Sequence, residues 1–500
     1  MAPPQVTLSF PSDLNLKPVT FETGLFINNE FVESADQSTF ETINPANAQV
    51  LGVVSEAKAK DVDIAVQAAE RAFNLVWGTN TPSQERGRLL YKLAEAIDNH
   101  REILAAIETI DNGKPYSMAK NIDLSKTVDT FRYFAGWADK NVGETNEVDN
   151  GKLAFTIHEP IGVVGQIIPW NFPLMMLSWK LAPALATGNT IVLKTAEQTP
   201  LSALYVCKLI KDIFPAGVVN ILSGFGPSAG SAIVDHPKIQ KIAFTGSTAV
   251  GKAILARSSD KNLKRVTLEL GGKSPNIIFE DADLEQAVRW AAFGLFFNQG
   301  QTCTAGSRVY VQEAIYDKFL QELQTHLKSM KIGDPFDPNT FQGPQVSQVQ
   351  FDRIMGYIQS GKTEGAECLL GGNRLGQKGY FIEPTIFTNA HSNMKIFKEE
   401  IFGPVVIVKK FKDEDDVVAQ AHNTTYGLAA AIHTRDINKA LLTSKRLKAG
   451  TVWVNCYNLF APQLAFGGYK DSGLGRENAQ YALRNYTEVK SVIINLNDKI

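Results

Sequence analysis

The sequence lacks paired cysteines, long apolar runs and an excess of charge of either sign. Its four cysteines, Cys207, Cys303, Cys368 and Cys456, are far apart and form no C-x-x-C pair. This argues against a disulfide framework or a zinc knuckle and favours a reducing compartment. The seven histidines show no metal-ligand spacing, so no metal site is predicted. The net charge of −2 offers no global basic surface for nucleic acid or an anionic membrane.

Targeting signals are also lacking. No apolar run reaches the ~18 residues of a membrane span. The N-terminal stretch MAPPQVTLSFPSDLNLKPVTF has no apolar core, and no arginine precedes Arg71, so neither a secretory signal nor an arginine-rich leader is expected. The C-terminal NDKI matches no retrieval signal. These features predict a cytoplasmic protein.

Short β-rich runs alternate with helical stretches along most of the chain. After helical patterns over 57–140, such runs start near residues 161, 190, 216, 241 and 265. The intervals are close to the roughly 30 residues of a strand–helix–strand unit. They predict an open parallel sheet with helices on its faces. A second α/β series follows Gly271, and YTEVKSVIINL at the end alternates like an exposed strand that needs a partner.

Four segments offer phosphate- or ribose-binding patterns. GYIQSGKT, residues 356–363, satisfies the P-loop pattern, but the apolar residues before it have helical spacing. It is predicted to close a helix, with Gly361 as C-cap. GFGPSAG and FTGSTAVG each follow a strand and can hold a pyrophosphate or merely form tight turns. Lys194, at a strand end, and Glu197 could bind a ribose or phosphate, or form a solvated pair.

Two candidate catalytic residues lie among apolar or small neighbours. Cys303 in FFNQGQTCTAGS is either a buried thiol or a nucleophile. Glu269 in TLELGGKSPN is an acid inside an apolar strand, which suits either a general base with a tuned pKa or a structural cap. Arg476 and Glu477 in GLGRE could form a surface ion pair.

Five motifs in order closely resemble the aldehyde dehydrogenase superfamily: PWNFP, LELGGKSPN, NQGQTCTAGSR, EEIFGPV and FGGYKDSGLGRE. The resemblance extends from TGLFINNEFV to YTEVK and is strongest to the NAD-linked, fungal-like cytosolic class that acts on small aliphatic aldehydes. It implies a Rossmann-like cofactor domain (1–140 and 160–271), an α/β catalytic domain (272–471) and a small β oligomerisation element (141–159 and 472–500).

The resemblance implies that Cys303 is the nucleophile. Its thiolate would attack an aldehyde to give a thiohemiacetal, whose oxygen would be bound by the amide of Asn171 and the cysteine's own N–H. Hydride transfer to the nicotinamide would leave a thioester, which water activated by Glu269 would hydrolyse. The small residues around the cysteine, Thr302, Thr304, Ala305 and Gly306, are expected to leave room for a substrate.

The cofactor implied is NAD, with NADP weaker. Lys194 and Glu197 should meet the adenosine ribose, while Gly246 and Ser247 should lie under the pyrophosphate. The full set of expected cofactor contacts is Ile167, Pro169, Trp170, Lys194, Glu197, Gly226, Gly230, Phe244, Gly246, Ser247, Leu270, Glu400 and Phe402. The residues expected to line the substrate tunnel, or else to be ordinary core, are Phe172, Met176, Trp179, Phe297, Phe460 and Phe466.

Two departures from the family pattern concern the tunnel. Many relatives have cysteine where this chain has Thr302, and Pro462 stands in the tunnel loop, so the preferred substrate size stays open. The alternatives are a semialdehyde or betaine-aldehyde dehydrogenase, or a non-enzymatic relative. No arginine or acid occurs among the named tunnel residues, and both Cys303 and Glu269 are present. In the family the C-terminal strand joins a neighbouring subunit, so a homo-oligomer, most simply a tetramer, is expected.

Overall fold

A computed structural model describes residues 2–496; the C-terminal NDKI lies outside them. The strands are β1 Gln5–Leu8, β2 Val19–Glu22, β3 Leu25–Ile27, β4 Glu30–Val32, β5 Thr39–Asn44, β6 Gln49–Ser55, β7 Thr145–Asn146, β8 Lys152–Pro160, β9 Val163–Ile167, β10 Thr190–Lys194, β11 Val219–Leu222, β12 Lys241–Thr245, β13 Arg265–Glu269, β14 Pro275–Ile278, β15 Arg308–Gln312, β16 Glu367–Leu370, β17 Thr385–Thr388, β18 Val405–Phe411, β19 Ala429–His433, β20 Thr451–Val454, β21 Gly473–Leu474 and β22 Thr487–Asn495. The helices are α1 Ala59–Leu75, α2 Ser83–Asn99, α3 Arg101–Asn112, α4 Tyr116–Met118, α5 Leu124–Trp137, α6 Pro173–Ala186, α7 Leu201–Lys211, α8 Ser231–Asp235, α9 Thr248–Arg257, α10 Leu284–Phe296, α11 Tyr316–Ser329, α12 Gln348–Thr363, α13 Lys395–Lys398, α14 Glu414–His422, α15 Ile437–Arg446 and α16 Ala479–Arg484.

The first β-rich series forms an eight-stranded sheet in the order β21-β13-β12-β9-β10-β11-β3-β4. Its five central strands are parallel, and every residue of β9, β10 and β11 is buried. Strands covered on both faces need continuous apolar sequence, which is why VVGQI, TIVLK and VNIL read as apolar runs. The predicted parallel sheet is confirmed.

The strand order reverses beside β9. From β9 the chain proceeds through β10 and β11 on one side, and β12 and β13 follow on the other. At such a switch point, the loops at the carboxyl ends of neighbouring strands diverge and leave a crevice where ligands bind. This topology places the ends of β9, β12 and β13 around one cleft.

The second series forms a seven-stranded sheet in the order β16-β17-β18-β15-β14-β19-β20. All of its neighbouring strands are parallel except β16, which runs antiparallel to β17. A third, antiparallel sheet has the order β22-β8-β7, with β22 paired to β8 along nine residue pairs. The C-terminal strand thus has a partner within its own chain, and its other edge lies at the margin of that sheet. The predicted fold class, two α/β units plus a small β element, is confirmed.

The P-loop pattern proves to be helical, as predicted. Residues 356–363 form the last two turns of α12, so their backbone N–H groups are not arranged around a phosphate. The expected C-cap is wrong: Gly361 lies inside the helix, and Glu364 is the C-cap. A Cβ at Gly361 would lie 2.9 Å from Ile396, so the glycine allows close packing of α12 on α13.

The three domains implied by the family resemblance stay a prediction, and the sheets show only where the proposed boundaries fall along the chain. The boundary at residue 271 falls between β13 of the first sheet and β14 of the second. The C-terminal segment contributes β22 to the third sheet, but it also supplies β21, which pairs with β13. No helix within residues 2–496 is long and apolar enough to cross a membrane.

Candidate active site

Cys303, Glu269 and Asn171 line one cavity of ≈ 140 Å³ at the switch point. They come from different places: Asn171 follows β9, Glu269 ends β13, and Cys303 precedes β15 in the second sheet. A wider cleft of ≈ 1230 Å³ shares Pro169, Trp170 and other lining residues with this cavity. The three candidate catalytic residues are therefore brought together, next to a cleft of ligand size.

A strained turn presents Cys303. Asn298, Gln299 and Gly300 all have positive φ, at 51°, 60° and 72°, immediately after α10. Such a conformation is costly for residues other than glycine and persists only where the surroundings enforce it. At Gly300 a Cβ would lie 2.2 Å from the carbonyl oxygen of Gly403. The tight turn ends the helix abruptly and directs the chain into the cavity.

The thiol of Cys303 is not activated in this state. Burial raises its pKa, and the nearby carboxylates of Glu400 and Glu269 raise it further, against a smaller opposing effect of backbone N–H groups. The thiol form therefore predominates at neutral pH. The pKa of Cys207 is also raised well above its usual value by burial, which suits an inert core residue.

The small neighbours of Cys303 serve packing more than substrate access. Only Thr302 lines the cavity with the cysteine. Tyr457 donates a hydrogen bond to the carbonyl oxygen of Thr304 at 2.8 Å, and a Cβ at Gly306 would lie 3.1 Å from the Tyr457 ring. The expectation that all four small residues leave room for a substrate is therefore not met by Thr304, Ala305 and Gly306, which do not line the cavity.

Asn171 is fixed at both its backbone and its side chain. Its Nδ2 donates to the carbonyl oxygen of Gln301 at 2.9 Å, and its own carbonyl accepts from Asn298 at 3.1 Å. A carboxamide nitrogen carries two N–H donors. The bond to Gln301 uses one, and the second is available to an oxygen bound in the cavity.

Glu269 is a buried carboxylate at the end of β13. Burial raises its pKa well above the usual value, Glu477 raises it further, and Lys180 and Arg476 act in the opposite sense. Its Oε2 has no hydrogen-bond partner among the described residues. A carboxylate with a raised pKa and an unpartnered oxygen facing a cavity is a stronger proton acceptor than an exposed one, as a general base needs to be.

The predicted surface ion pair between Arg476 and Glu477 is wrong. Glu477 is buried and accepts a hydrogen bond from the buried Lys180 at 2.5 Å. Arg476 instead donates to the carbonyl oxygens of Gly468 and Gly475. Glu477 also forms an isolated antiparallel β-bridge with Phe466, so its backbone is tied to a neighbouring loop while its carboxylate contacts Lys180 of α6.

The wide cleft has one wall formed by the ends of β9, β10 and β12. The sequence-predicted cofactor residues that line it are Ile167, Pro169, Trp170, Lys194, Glu197, Gly226, Gly230, Phe244, Gly246 and Ser247. Lys194 Nζ donates to the carbonyl oxygens of Thr195 and Gly224 at 2.7 and 2.6 Å and lies 3.4 Å from Glu197 Oε2. The ammonium group is thus already hydrogen-bonded within the protein, and the half-buried Glu197 lines the cleft, where its Oε1 accepts a hydrogen bond from Gln198 at 3.2 Å.

The N-terminus of α9 also opens onto the cleft. Ser247 is the N-cap and accepts a hydrogen bond from Val250 N at 3.4 Å, while Gly246 precedes it. Free N–H groups and the helix dipole at such a terminus suit a phosphate. A Cβ at Gly226 would meet no atom within 4 Å, so this part of the cleft is open. These features fit a dinucleotide.

Glu400 and Phe402 border the inner cavity together with Leu270. Glu400 Oε1 accepts a hydrogen bond from Gly272 N at 3.0 Å, and burial raises the Glu400 pKa to about 7. A Cβ at Gly271 would lie 2.2 Å from Glu400 Oε2, so only glycine allows this approach. Phe402 packs edge-on against Trp170, with ring centroids 5.2 Å apart.

Most predicted tunnel residues line the inner cavity, namely Phe172, Met176, Trp179, Phe460 and Phe466. Phe297 does not; it lines an outer cavity of ≈ 460 Å³ that shares Phe172 and Phe460 with the inner one. The rings of Phe172 and Phe297 stack at 5.9 Å. Pro462 lines neither cavity, and its carbonyl oxygen accepts a hydrogen bond from Ala479 N. Any influence of Pro462 on substrate size must therefore act through the position of its loop, because the residue does not line the tunnel.

Sequence reasoning missed Met175, Gln350 and Arg353, which also line the inner cavity. Gln350 and Arg353 lie on α12, the helix with the P-loop pattern, and Gln350 Nε2 donates to the carbonyl oxygen of Phe402 at 2.8 Å. No local motif marks them, because they reach the site only through the packing of α12 beside the cleft. Met175 follows PWNFP by two positions and lies in the first turn of α6. Its closeness to this motif could have indicated that it lines the cavity.

Known proteins that resemble this chain in sequence belong to one family. Residues 31–492 match the model of the aldehyde dehydrogenase family. The chain is 56% identical to an aldehyde dehydrogenase of Agaricus bisporus, over 96% of each chain. It is 54% identical to the mitochondrial aldehyde dehydrogenase of Homo sapiens, over 97% of this chain and 94% of that one.

A solved structure shows the same fold. The NAD⁺ complex of an aldehyde dehydrogenase from Bacillus cereus superposes with a TM-score of 0.94 at 51% identity, covering 98% of this chain and 100% of that one. Identity at this level over whole chains is far above what a shared fold alone would give. The chain therefore belongs to the aldehyde dehydrogenase family and is an aldehyde-oxidising enzyme that uses NAD(P).

Proposed function

We propose that the protein oxidises small aliphatic aldehydes to carboxylic acids with NAD, through a covalent intermediate on Cys303. One observation carries the proposal: a thiol, an amide donor and a buried carboxylate, those of Cys303, Asn171 and Glu269, line the same ≈ 140 Å³ cavity. These are the three groups that covalent oxidation of an aldehyde requires of the protein.

In the first step the thiolate of Cys303 attacks the aldehyde carbon. The C–S bond forms as the carbonyl π electrons move onto oxygen, and that oxygen accepts hydrogen bonds from the Asn171 amide and the Cys303 N–H. Because burial raises the pKa of the resting thiol, the thiol must transfer its proton to a base before the attack, and the carboxylates of Glu269 and Glu400, which line the same cavity, would accept that proton. The bound nicotinamide would supply the hydride acceptor.

The second step is hydrolysis of the thioester left on Cys303. Glu269 removes a proton from water as the water oxygen attacks the thioester carbon, and the C–S bond breaks to release the acid and the thiolate. Burial raises the pKa of Glu269 above its usual value, which makes its carboxylate a stronger base towards the attacking water.

The residues that would hold NAD line the wide cleft and the inner cavity next to it. Lys194 and Glu197 would meet the adenosine ribose, Gly246 and Ser247 the pyrophosphate, and Glu400 and Phe402 the nicotinamide ribose and ring. The Glu197 carboxylate is favourable for ribose hydroxyls and unfavourable for a 2′-phosphate. NAD is therefore preferred to NADP in this proposal.

The tunnel supports uncharged substrates. Its inner walls are the aromatic rings of Trp179, Phe460 and Phe466, packed edge-on within 6.3 Å of one another. A cationic betaine aldehyde or an anionic semialdehyde would be desolvated between these three rings, none of which carries a countercharge, at considerable cost. Charged residues of the outer cavity, such as Lys126 and Arg289, lie beyond these rings.

A substrate panel tests the proposal. Acetaldehyde, propionaldehyde, benzaldehyde, betaine aldehyde and succinic semialdehyde should each be assayed with NAD and NADP by formation of reduced cofactor. The two small aliphatic aldehydes should have the highest kcat/KM. A higher value for betaine aldehyde or succinic semialdehyde would favour those alternative activities, and equal use of NADP would overturn the cofactor preference.

Assembly and location complete the proposal. The open edge of the β22-β8-β7 sheet and the exposed apolar side chains of Val489 and Ile493 favour a homo-oligomer, most simply a tetramer, because unpaired strand edges invite pairing. We also propose a cytoplasmic location, and a cofactor-binding role for the unit built on the first sheet, which supplies most of the residues that line the wide cleft.

A further inference from the structure

A buried ion pair lies beneath the loop that carries Asn171. Lys114, just after α3, and Asp123, in a π-helical turn just before α5, form this pair, and each residue is only 1% exposed. Removing two charges from water is expensive, and an apolar pair of similar volume would often be as stable. Stability alone is therefore a weak explanation for the pair.

The ammonium group of Lys114 contacts the loop that carries Asn171. Lys114 Nζ donates to the carbonyl oxygen of Asn171 at 2.9 Å and lies 4.4 Å from the ring centroid of Phe172. Its contact with Asp123 fixes the other side of the ammonium. One cation thus joins a buried carboxylate, the backbone of the oxyanion residue and a ring of the tunnel wall.

The loop between β9 and α6 has few regular backbone hydrogen bonds, so side chains fix its path. Asn112 Nδ2 donates to the carbonyl oxygen of Trp170 at 2.7 Å, next to the bond from Lys114. Leu174 N, at the far end of the loop, donates to the buried carboxylate of Glu108 at 2.8 Å. All three anchoring side chains come from α3 or the residues just after it.

We propose that Lys114, fixed by Asp123, positions Asn171 so that its amide donates to the oxygen of the substrate bound to Cys303. Lys114 holds the backbone carbonyl of Asn171, and this carbonyl is attached to the same Cα as the side chain. The side-chain amide of Asn171 is also hydrogen-bonded to Gln301 on the loop that carries Cys303. Rotating the peptide group would turn the amide away from the reacting oxygen. Lys114 touches no reacting atom, so it is a positioning residue, and the inference rests on the oxyanion role proposed for Asn171.

The test removes both charges of the pair at once, so that neither Lys114 nor Asp123 remains without its partner. The double variant Lys114→Met/Asp123→Asn keeps approximate volume and removes both charges. Because a misplacement of about 1 Å at a reacting group can cost ~10²-fold, kcat for acetaldehyde should fall by about 10- to 100-fold. KM, NAD binding and the alkylation rate of Cys303 by iodoacetamide should each stay within about twofold of the wild type.

A double-mutant cycle with Asn171→Ala separates positioning from general damage. Asn171→Ala alone should lower kcat by ~10²–10³-fold, as for loss of one oxyanion donor. Adding Lys114→Met/Asp123→Asn to it should cost less than about threefold more, because a group that acts through Asn171 has nothing left to position. Lys241→Met is the matched control: this lysine is fully buried and donates to Thr267, away from the cavity, and its variant should keep kcat within about twofold.

The possible outcomes separate the positioning role of Lys114 from the oxyanion role of Asn171. If the losses multiply in the combined variant, or if Lys114→Met/Asp123→Asn keeps wild-type kcat while folded, the positioning role is overturned and the oxyanion role of Asn171 stands. If Asn171→Ala itself keeps wild-type kcat, the oxyanion role fails, and this inference fails with it. Loss of NAD binding or of Cys303 alkylation in the charge-free variant would show general damage to the site and also overturn the inference.

Discussion

The side-chain amide of Asn171 donates a hydrogen bond to the carbonyl oxygen of Gln301, with an N···O distance of 2.9 Å. This bond joins the loop after β9 of the first sheet to the turn that presents Cys303 in the second. The proposed oxyanion donor, Asn171, and the proposed nucleophile, Cys303, are therefore set relative to each other by a direct contact between the two α/β units. The proposed chemistry depends on this contact in ways that can be measured.

Replacing the nucleophile should abolish oxidation. Cys303→Ala is expected to remove all aldehyde-dependent reduction of NAD, because no other thiol lines the cavity, while NAD binding by fluorescence titration stays nearly intact. The half-buried Cys368 and Cys456 give matched controls, and their alanine variants should keep full activity. Normal turnover by Cys303→Ala would exclude the covalent mechanism.

Replacing the base should slow deacylation most. Glu269→Gln keeps the shape of the side chain and removes its proton acceptor, so kcat should fall by the ~10²–10⁴-fold typical of general-base catalysis. Mass spectrometry of the quenched enzyme should then show acylated Cys303. Glu280→Gln, at an exposed acid after β14, should behave as the wild type, and an unchanged rate in Glu269→Gln would rule out the role.

The reactivity of Cys303 should depend on pH through its acidic neighbours. Glu400 raises the pKa of the thiol, so Glu400→Gln should lower that pKa and increase the thiolate fraction at any pH below it. Alkylation by iodoacetamide, followed by mass spectrometry in the absence of cofactor, should shift to lower pH. Glu399→Gln, one position away and hydrogen-bonded to Tyr357, should leave the profile in place; equal shifts in both variants would contradict the assignment to Glu400.

Cofactor preference should depend on Glu197. Like charges about 4 Å apart at an effective dielectric of 20 repel by ~4 kcal/mol, and even a third of that is about a tenfold preference. We expect NAD to exceed NADP in kcat/KM by at least about tenfold, since Lys194 offsets only part of the repulsion. Glu197→Gln should narrow the gap mainly by improving NADP use, whereas Glu41→Gln, another acid lining the cleft, should not. An unchanged ratio in Glu197→Gln would refute the argument.

The exposed side of the C-terminal strand should govern assembly. Val489 and Ile493 are 59% and 65% exposed and lie four residues apart on β22, so they share one face. Val489→Asp/Ile493→Asp should place charges in the proposed interface and yield smaller species by light scattering, without loss of secondary structure. Leu263→Asp, at a leucine that is 92% exposed, should leave the mass unchanged. A wild-type protein that is already monomeric would overturn the proposal outright.

The sequence by itself determined the elements and the chemical groups. Strand and helix periods are local, so the alternation from residue 161 onward predicted the parallel sheets, and helical spacing before 356–363 ruled out the P-loop. The order of the family motifs indicated Cys303, Glu269 and Asn171. All three line one cavity in the structure, as do most of the expected tunnel residues.

Only the tertiary structure decided which distant groups meet. The bond between Asn171 and Gln301 spans 130 residues of sequence, and the one between Lys180 and Glu477 spans 297. No local period encodes such contacts, because they depend on how the sheets and the helices around them pack. For this reason Glu477 is buried where a surface pair was expected, Phe297 belongs to the outer cavity, and Arg353 borders the site from a helix that its own sequence pattern did not connect with it.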